Sequence, residues 1–424
     1  MPAAVRLTRS PTDLHNYYNK RKEPMNTTTD SAPETLRDTM VDTVKDSGYA
    51  RTTAVEAAMR AVPRHAFVPE ATLADAYADI AVITKRAADG SALSCASVPT
   101  VVAMMLDQLD VRPGHNILEI GAGTGYNAAL LAVLTGPNGR VTTVDIDEEV
   151  TAGARRGLDA TGNREVQVIT RDGALGAPEN GPYDRIIVTV GAWDLPVAWR
   201  EQLAPGGRLV VPLRWRGQTR SIAFVRDGDR LISDRTDLCG FVPMIGQEGE
   251  QAGTIDTGGL VSLCFDVDQG IDPAALRGVL DQPKSTVWSE VTVGPTDSFD
   301  GVWLNLTATD PGTCRISAED EAVSTGLCTP VIQWRTPAIT DGTSLAYLTY
   351  RRIDGPVRRS ELGAIGHGPA GQQLAERLCA QVTVWDRDRD HQPRIDAYPA
   401  GAPVSAPSAG VVIDKQDARL VLSL

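Results

Sequence analysis

The chain has 424 residues, 42% hydrophobic and 22% charged, with a formal net charge of −13. This length and balance predict two globular domains with sizeable cores. So large an excess of acid repels phosphate backbones and excludes nucleic acid as an expected partner.

Residues 1–30 are polar, carry Lys20-Arg21-Lys22 and Thr27-Thr28-Thr29, and read as a disordered tail. There is no apolar leader and no run of 18 apolar residues, so a cytoplasmic protein without membrane contact is expected. The six cysteines (Cys95, Cys239, Cys264, Cys314, Cys328 and Cys379) form no C-x-x-C pair. They read as buried thiols, and no metal site is expected. Helical periodicity runs from Pro33 to Val62, and a further helix is predicted over 97–109, with Ser97 and Pro99 as its start signal.

Short apolar runs then alternate with helical stretches. The predicted strands are Asn116–Ile120, Val141–Ile146, Val166–Ile169, Arg185–Val190 and Arg208–Leu213, and the helices between them are 125–134, 148–160 and 196–204. Such alternation predicts a doubly wound, mainly parallel α/β sheet of Rossmann-like type with an N-terminal helical cap. Ser221–Arg226 and Arg230–Asp234 flank Asp227-Gly228-Asp229 as a hairpin. After about residue 250 only Lys284 and Lys415 remain of the lysines, and the texture changes. The first domain is therefore expected over 31–250 and a C-terminal α+β domain over 251–424. The second domain is predicted to hold strands at Leu260–Val267, Ser289–Val293, Trp303–Ala308, Val331–Trp334, Ala346–Tyr350 and Gln381–Trp385, with helices at 273–280 and 370–379.

The chemistry is concentrated at three strand ends. Ile117-Leu118-Glu119-Ile120-Gly121-Ala122-Gly123-Thr124-Gly125-Tyr126-Asn127 is a buried strand entering a glycine-rich turn that opens a helix. Glycines there allow a sharp turn and close approach to a ligand. About twenty residues on, Val144-Asp145-Ile146-Asp147 ends the next strand, where an acid can accept from ribose hydroxyls. Asp145 is the better candidate, because Asp147 can cap the following helix. Arg171-Asp172-Gly173 ends the third strand and can meet an adenine amine or simply turn the chain. The candidate cofactor-binding set is Glu119, Gly121, Ala122, Gly123, Gly125, Tyr126, Asn127, Asp145, Ile146, Asp172 and Gly173, and the cofactor expected is S-adenosyl-L-methionine.

Residues 35–246 resemble the protein-L-isoaspartate O-methyltransferase family. The resemblance is carried by Val62-Pro63-Arg64-His65-Ala66-Phe67-Val68-Pro69, Tyr77-Ala78-Asp79, Ser97-Val98-Pro99, Leu118–Tyr126, Gln202–Pro212 and Phe241-Val242-Pro243-Met244-Ile245-Gly246. It implies carboxyl methylation with Ser97 beside the reacting carboxyl, a role that stands beside a plain helix-capping one. An aspartate is already ionised at pH 7, so the reaction needs no general base. Trp193-Asp194-Leu195-Pro196, Leu238-Cys239-Gly240-Phe241 and the C-terminal extension are similar to an actinobacterial branch that tailors ribosomally made, modified peptides of the FxLD, lanthipeptide or graspetide kind. That likeness implies a modified precursor peptide as partner, with an ordinary aspartate methylated and then closing to a succinimide or isoaspartate. The segments Ala92–Ser97 and Ile80–Arg86 depart from the repair enzymes' pattern. Repair of isoaspartate in damaged proteins is the alternative activity, and a peptide-binding protein with a vestigial methyltransferase domain is the alternative outside enzymes.

Overall fold

The computed structural model describes residues 32–424, so the tail expected over 1–30 lies outside the described residues. Two helices, Pro33–Asp46 and Thr53–Ala61, form the N-terminal cap. Thr52 starts the second by accepting from the Val55 N–H at 3.2 Å, which satisfies one orphan donor of the first turn. The helix Leu73–Tyr77 follows, then an antiparallel hairpin of β1 (Val82–Arg86) and β2 (Ala92–Ala96) that stands apart from both large sheets.

The helix Pro99–Leu109 leads into the main sheet. Its first strands are β3 (Asn116–Ile120), β4 (Arg140–Asp145), β5 (Gln167–Thr170), β6 (Tyr183–Val188) and β7 (Leu203–Trp215). They lie in the order β5-β4-β3-β6-β7, all parallel. Helices Tyr126–Thr135, Glu148–Ala160 and Val197–Gln202 make crossovers. Every residue of β3 is buried, as a central parallel strand covered on both faces should be. The chain winds outward from β3 through β4 and β5, then returns to β6, so strand order reverses beside β3. Ligands bind outside the carboxyl ends of strands at such a switch point. The antiparallel β8 (Gln218–Asp227) and β9 (Arg230–Leu238) extend the sheet as the expected hairpin.

A second sheet of seven antiparallel strands follows. It comprises β10 (Glu250–Thr254), β11 (Val261–Asp266), β12 (Lys284–Val293), β13 (Thr313–Ala318), β14 (Thr336–Thr340), β15 (Leu345–Ile353) and β16 (Arg359–His367). The helix Gly371–Arg387 packs on it through Leu374, Leu378, Val382 and Trp385. The chain then returns to the first sheet. Strands β17 (Arg394–Pro399), β18 (Gly410–Asp414) and β19 (Ala418–Ser423) extend it beyond β9 in the order β9-β17-β19-β18.

Several expectations are corrected here. Residues 251–424 do not all belong to the second body, because β17–β19 complete the ten-stranded first sheet. Trp303–Ala308, expected as a strand, lies in the helix Asp300–Thr309. Gln381–Trp385 is the last part of the helix Gly371–Arg387, whose apolar residues recur at helical spacing. Val331–Trp334 lies in the connection before β14, and 273–280 forms two 3₁₀ turns, Pro273–Leu276 and Val279–Asp281, rather than one helix.

Candidate active site

Two adjoining clefts of about 660 and 610 Å³ open at the carboxyl edge of β3, β4 and β6. They share Leu93, Ser94, Gly121, Asp145 and Val190. Ser97, Glu119, Ala122, Gly123, Tyr126 and Asn127 line the first, and Ile146, Asp172 and Gly173 line the second. Eleven of the twelve residues singled out in the sequence therefore converge on one edge of the sheet.

The exception is Gly125. It lines neither cleft and caps the helix Tyr126–Thr135 at φ +86°. A Cβ there would stand 3.0 Å from the Ala154 carbonyl oxygen, so helix packing by itself requires a glycine here. Gly121 and Gly123 do shape the cleft. Gly121 has φ +100°, and a Cβ on it would meet Thr189 Oγ1 at 2.6 Å. The Thr189 hydroxyl in turn donates to the Gly121 carbonyl at 2.6 Å.

Asp145 is held as an acceptor aimed along the glycine turn. Its carboxylate accepts from the Gly123 N–H and from the Asp147 N–H, both at 3.2 Å. Burial raises its pKa, and the Gly123 bond opposes that rise. Asp147 is committed elsewhere. It caps the helix Glu149 and Val150 begin, accepting from their N–H groups at 2.9 and 3.2 Å, and it takes Lys85 Nζ at 2.7 Å. Lys85 also reaches Glu149 at 2.7 Å, so it ties β1 to the start of that helix. Asp172 accepts from the Ala174 N–H at 2.9 Å, and its turn role and its place in the second cleft coexist.

Glu119 has no exposure. Asn127 Nδ2 and Thr143 Oγ1 donate to it at 2.7 and 2.6 Å. Burial pushes its carboxyl up to about 7 against those bonds. Ser97 is not a helix cap. The N-cap of the helix Pro99–Leu109 is Val98, and Asp79 accepts from the Thr100 N–H at 2.9 Å and from the Thr100 hydroxyl at 2.8 Å.

Sequence reasoning missed Leu93, Ser94, Thr189, Val190, Val242 and Met244 as cleft residues. The signal for Thr189 and Val190 was available: they follow β6 at the same edge as the three strand ends that were read. Among the described residues no group of three or more His, Cys, Asp or Glu side chains could hold a metal ion. No helix among them is long and apolar enough to cross a membrane.

Comparison with known proteins bears on this geometry. A protein-L-isoaspartate O-methyltransferase from Methanopyrus kandleri is 44% identical over 218 residues, which is 51% of this chain and 93% of the relative. A solved protein-L-isoaspartate O-methyltransferase aligns with 92% of this chain and all of its own, at 19% identity and TM-score 0.48. A putative one from Plasmodium falciparum, solved in complex with S-adenosyl-L-homocysteine, aligns with 49% of this chain and 97% of its own, at 19% identity and TM-score 0.44. The model of the protein-L-isoaspartate(D-aspartate) O-methyltransferase family matches residues 35–249, the span that builds both clefts. The chain belongs to that family and is an S-adenosylmethionine-dependent O-methyltransferase.

Proposed function

We propose that this enzyme methylates the free carboxylate of isoaspartyl residues in proteins or peptides. One observation carries the reading: one cleft is lined by the glycine turn, Asp145 and the Ser97 loop together, within the span that matches the family. The residues suit the cofactor. Gly121, Ala122 and Gly123 give a close backbone cradle, Asp145 accepts from ribose hydroxyls, and Ile146, Asp172 and Gly173 receive the adenine. Glu119, Tyr126 and Asn127 line the same cleft as Ser97 and would stand nearer the donor's sulfonium than its adenine. When bound, S-adenosylmethionine supplies a methyl group on a sulfonium, which a carboxylate oxygen takes in line as the sulfur leaves as a neutral thioether. The protein's part is to orient the carboxylate at Ser97 and exclude water, since no proton has to move.

A second reading is methylation of an ordinary aspartate in a ribosomally made, modified peptide, going on to aspartimide or isoaspartate. Two observations favour it. The β2 residues that wall both clefts, including Leu93, lie in the segment that departs from the repair pattern. The seven-stranded sheet inserted between β9 and β17 also offers a surface for recognising more than one carboxyl group. The test is a pair of linear pentapeptides that differ only in isoaspartate against aspartate, together with a macrocyclic version of the aspartyl peptide. Methyl incorporation into the isoaspartyl peptide alone is expected. Methylation of only the constrained aspartyl peptide would replace the first reading with the second.

A further inference from the structure

Arg64 has no exposed surface. Arginine is rarely buried completely unless an anion accompanies it, yet among the described residues no carboxylate pairs with Arg64. Its Nε donates to the Ala76 carbonyl at 2.9 Å, and its Nη2 to the Ala96 and Ser97 carbonyls at 3.1 and 2.8 Å. Ala96 and Ser97 line the first cleft. The guanidinium carbon lies 5.1 Å from the centroid of the Tyr126 ring, and Tyr126 lines the same cleft. Arg64 Nη1 and the Tyr126 hydroxyl are both buried and have no hydrogen-bond partner among the described residues. The other titratable groups around Arg64 are Asp79, Tyr77 and Cys95. Asp79 is engaged by Thr100 and Tyr77 by His65. Among the described residues, then, a buried cation held by backbone carbonyls and a ring face, with no carboxylate in an ion pair with it, stands behind the loop where the acceptor carboxylate is proposed to sit.

We propose that Arg64 is the positioning residue for the acceptor: it fixes the Ala96–Ser97 loop through its carbonyls and holds the bound carboxylate in its ionised form. The inference rests on the carboxylate reading above. The physical need is plain. A carboxylate moved out of water beside Ser97 takes up a proton more readily, and a protonated carboxyl is a poor nucleophile toward the methyl carbon. A nearby guanidinium, charged at every working pH, opposes that uptake. Tyr126 supports the cation with its ring face.

The experiment has two arms, both using whichever of the two linear or constrained peptides wild type methylates. In the first, kcat is followed from pH 8 to 5, because kcat reports groups in the bound complex. Wild type and Arg64→Lys should keep their rate, whereas Arg64→Met should lose at least tenfold by pH 5.5. In the second, the peptide carries a ¹³C label in the reacting carboxyl and is bound to wild type with S-adenosylhomocysteine. Its resonance should remain that of a carboxylate down to pH 5, a readout that needs neither turnover nor a variant. Calorimetry on the same complex should show preference for the carboxylate over its carboxamide analogue, lost in Arg64→Met. A bound carboxyl half-protonated at or above pH 5, or an Arg64→Met acid limb that matches wild type, overturns the inference. If wild type methylates none of the peptides, the carboxylate reading falls and this inference falls with it.

Discussion

The buried carboxyl of Glu119 couples the stability of the fold to the state of the site. Its folded pKa of about 7 lies above its ordinary value of 4.5. The folded state therefore holds the proton more tightly, so this group's contribution to stability is fullest below about pH 4.5 and is lost as pH rises through about 7. Glu119→Gln keeps an acceptor oxygen for Asn127, turns the second bond round so that its amide donates to the Thr143 hydroxyl, and cannot ionise. Relative to wild type it should gain stability between pH 4.5 and 7 and level off at on the order of 3 kcal/mol. Denaturant unfolding across that range checks this, and a difference that does not vary with pH would refute it. Asp145 is expected to act on binding. Asp145→Ala should weaken S-adenosylhomocysteine by about 1.5–3 kcal/mol through lost charge-assisted bonds, read by calorimetric titration, and unchanged affinity in a folded variant would move the ribose site. That Asp145 lines the cleft was legible in the sequence, because an acid at the end of the strand after a glycine turn falls on the same sheet edge. Gly125 could not be told apart from Gly121 and Gly123, because a glycine needed for positive φ and a glycine needed for ligand approach look identical in sequence. Ser97 left two roles open because the true partner of the first turn, Asp79, is distant in the chain.

Elements were legible where burial leaves a pattern that turn residues delimit. β3 to β7 and their crossover helices keep the expected order, since apolar runs bounded by turn residues suit strands buried on both faces. The helix Asp300–Thr309 was not legible. Leu304 and Ala308 belong to the core of the first sheet, whereas Val302 and Leu306 belong to that of the second. A helix buried on both sides loses the amphipathic stripe and cannot be told from a strand by periodicity. The glycine turn allows a test of packing against binding. Gly125→Ala places a side chain at φ +86° and crowds Ala154 on the helix Glu148–Ala160. It should cost about 1–3 kcal/mol of stability while donor affinity in the folded protein stays within a few fold. Gly121→Ala instead crowds Thr189 and Val190, which wall the cleft, and should weaken the donor as well. Equal loss of affinity in both variants, measured by S-adenosylhomocysteine titration beside thermal melts, would show that Gly125 contacts the donor after all.

At the scale of the whole molecule, the second body is inserted into the first rather than appended to it, because β17–β19 close the edge that β9 would otherwise expose. Ile395, Ile413, Leu420 and Leu422 are buried in the same core as Leu118, Ile186, Trp199 and Leu209. The junction is also polar and closed. Lys415 is buried, donates to the Trp193 carbonyl and to the Arg214 carbonyl at 2.9 Å, and lies over the Trp193 ring. Asp194 accepts from the Asp417 N–H at 2.7 Å. The loop that leads away from the cleft residues Thr189 and Val190 is thus braced by the last strands of the chain. A break in composition near residue 250 marked the start of the insertion, but nothing local in the sequence marks the return, since edge strands look alike whichever sheet they join. The consequence is that a chain cut after Gly249 loses more than a recognition surface. Burying those four side chains is worth roughly 6–12 kcal/mol, comparable to the 5–15 kcal/mol by which a typical protein is stable at all. The truncated chain should therefore fail to give a cooperative melt and should not bind S-adenosylhomocysteine. A chain in which 251–393 is replaced by a short flexible linker, leaving β17–β19, should melt cooperatively and retain the donor. Circular dichroism melts and calorimetry on the two proteins decide the matter: if the chain ending at Gly249 melts near the full-length temperature, the last three strands are dispensable and the inserted architecture carries no energetic weight.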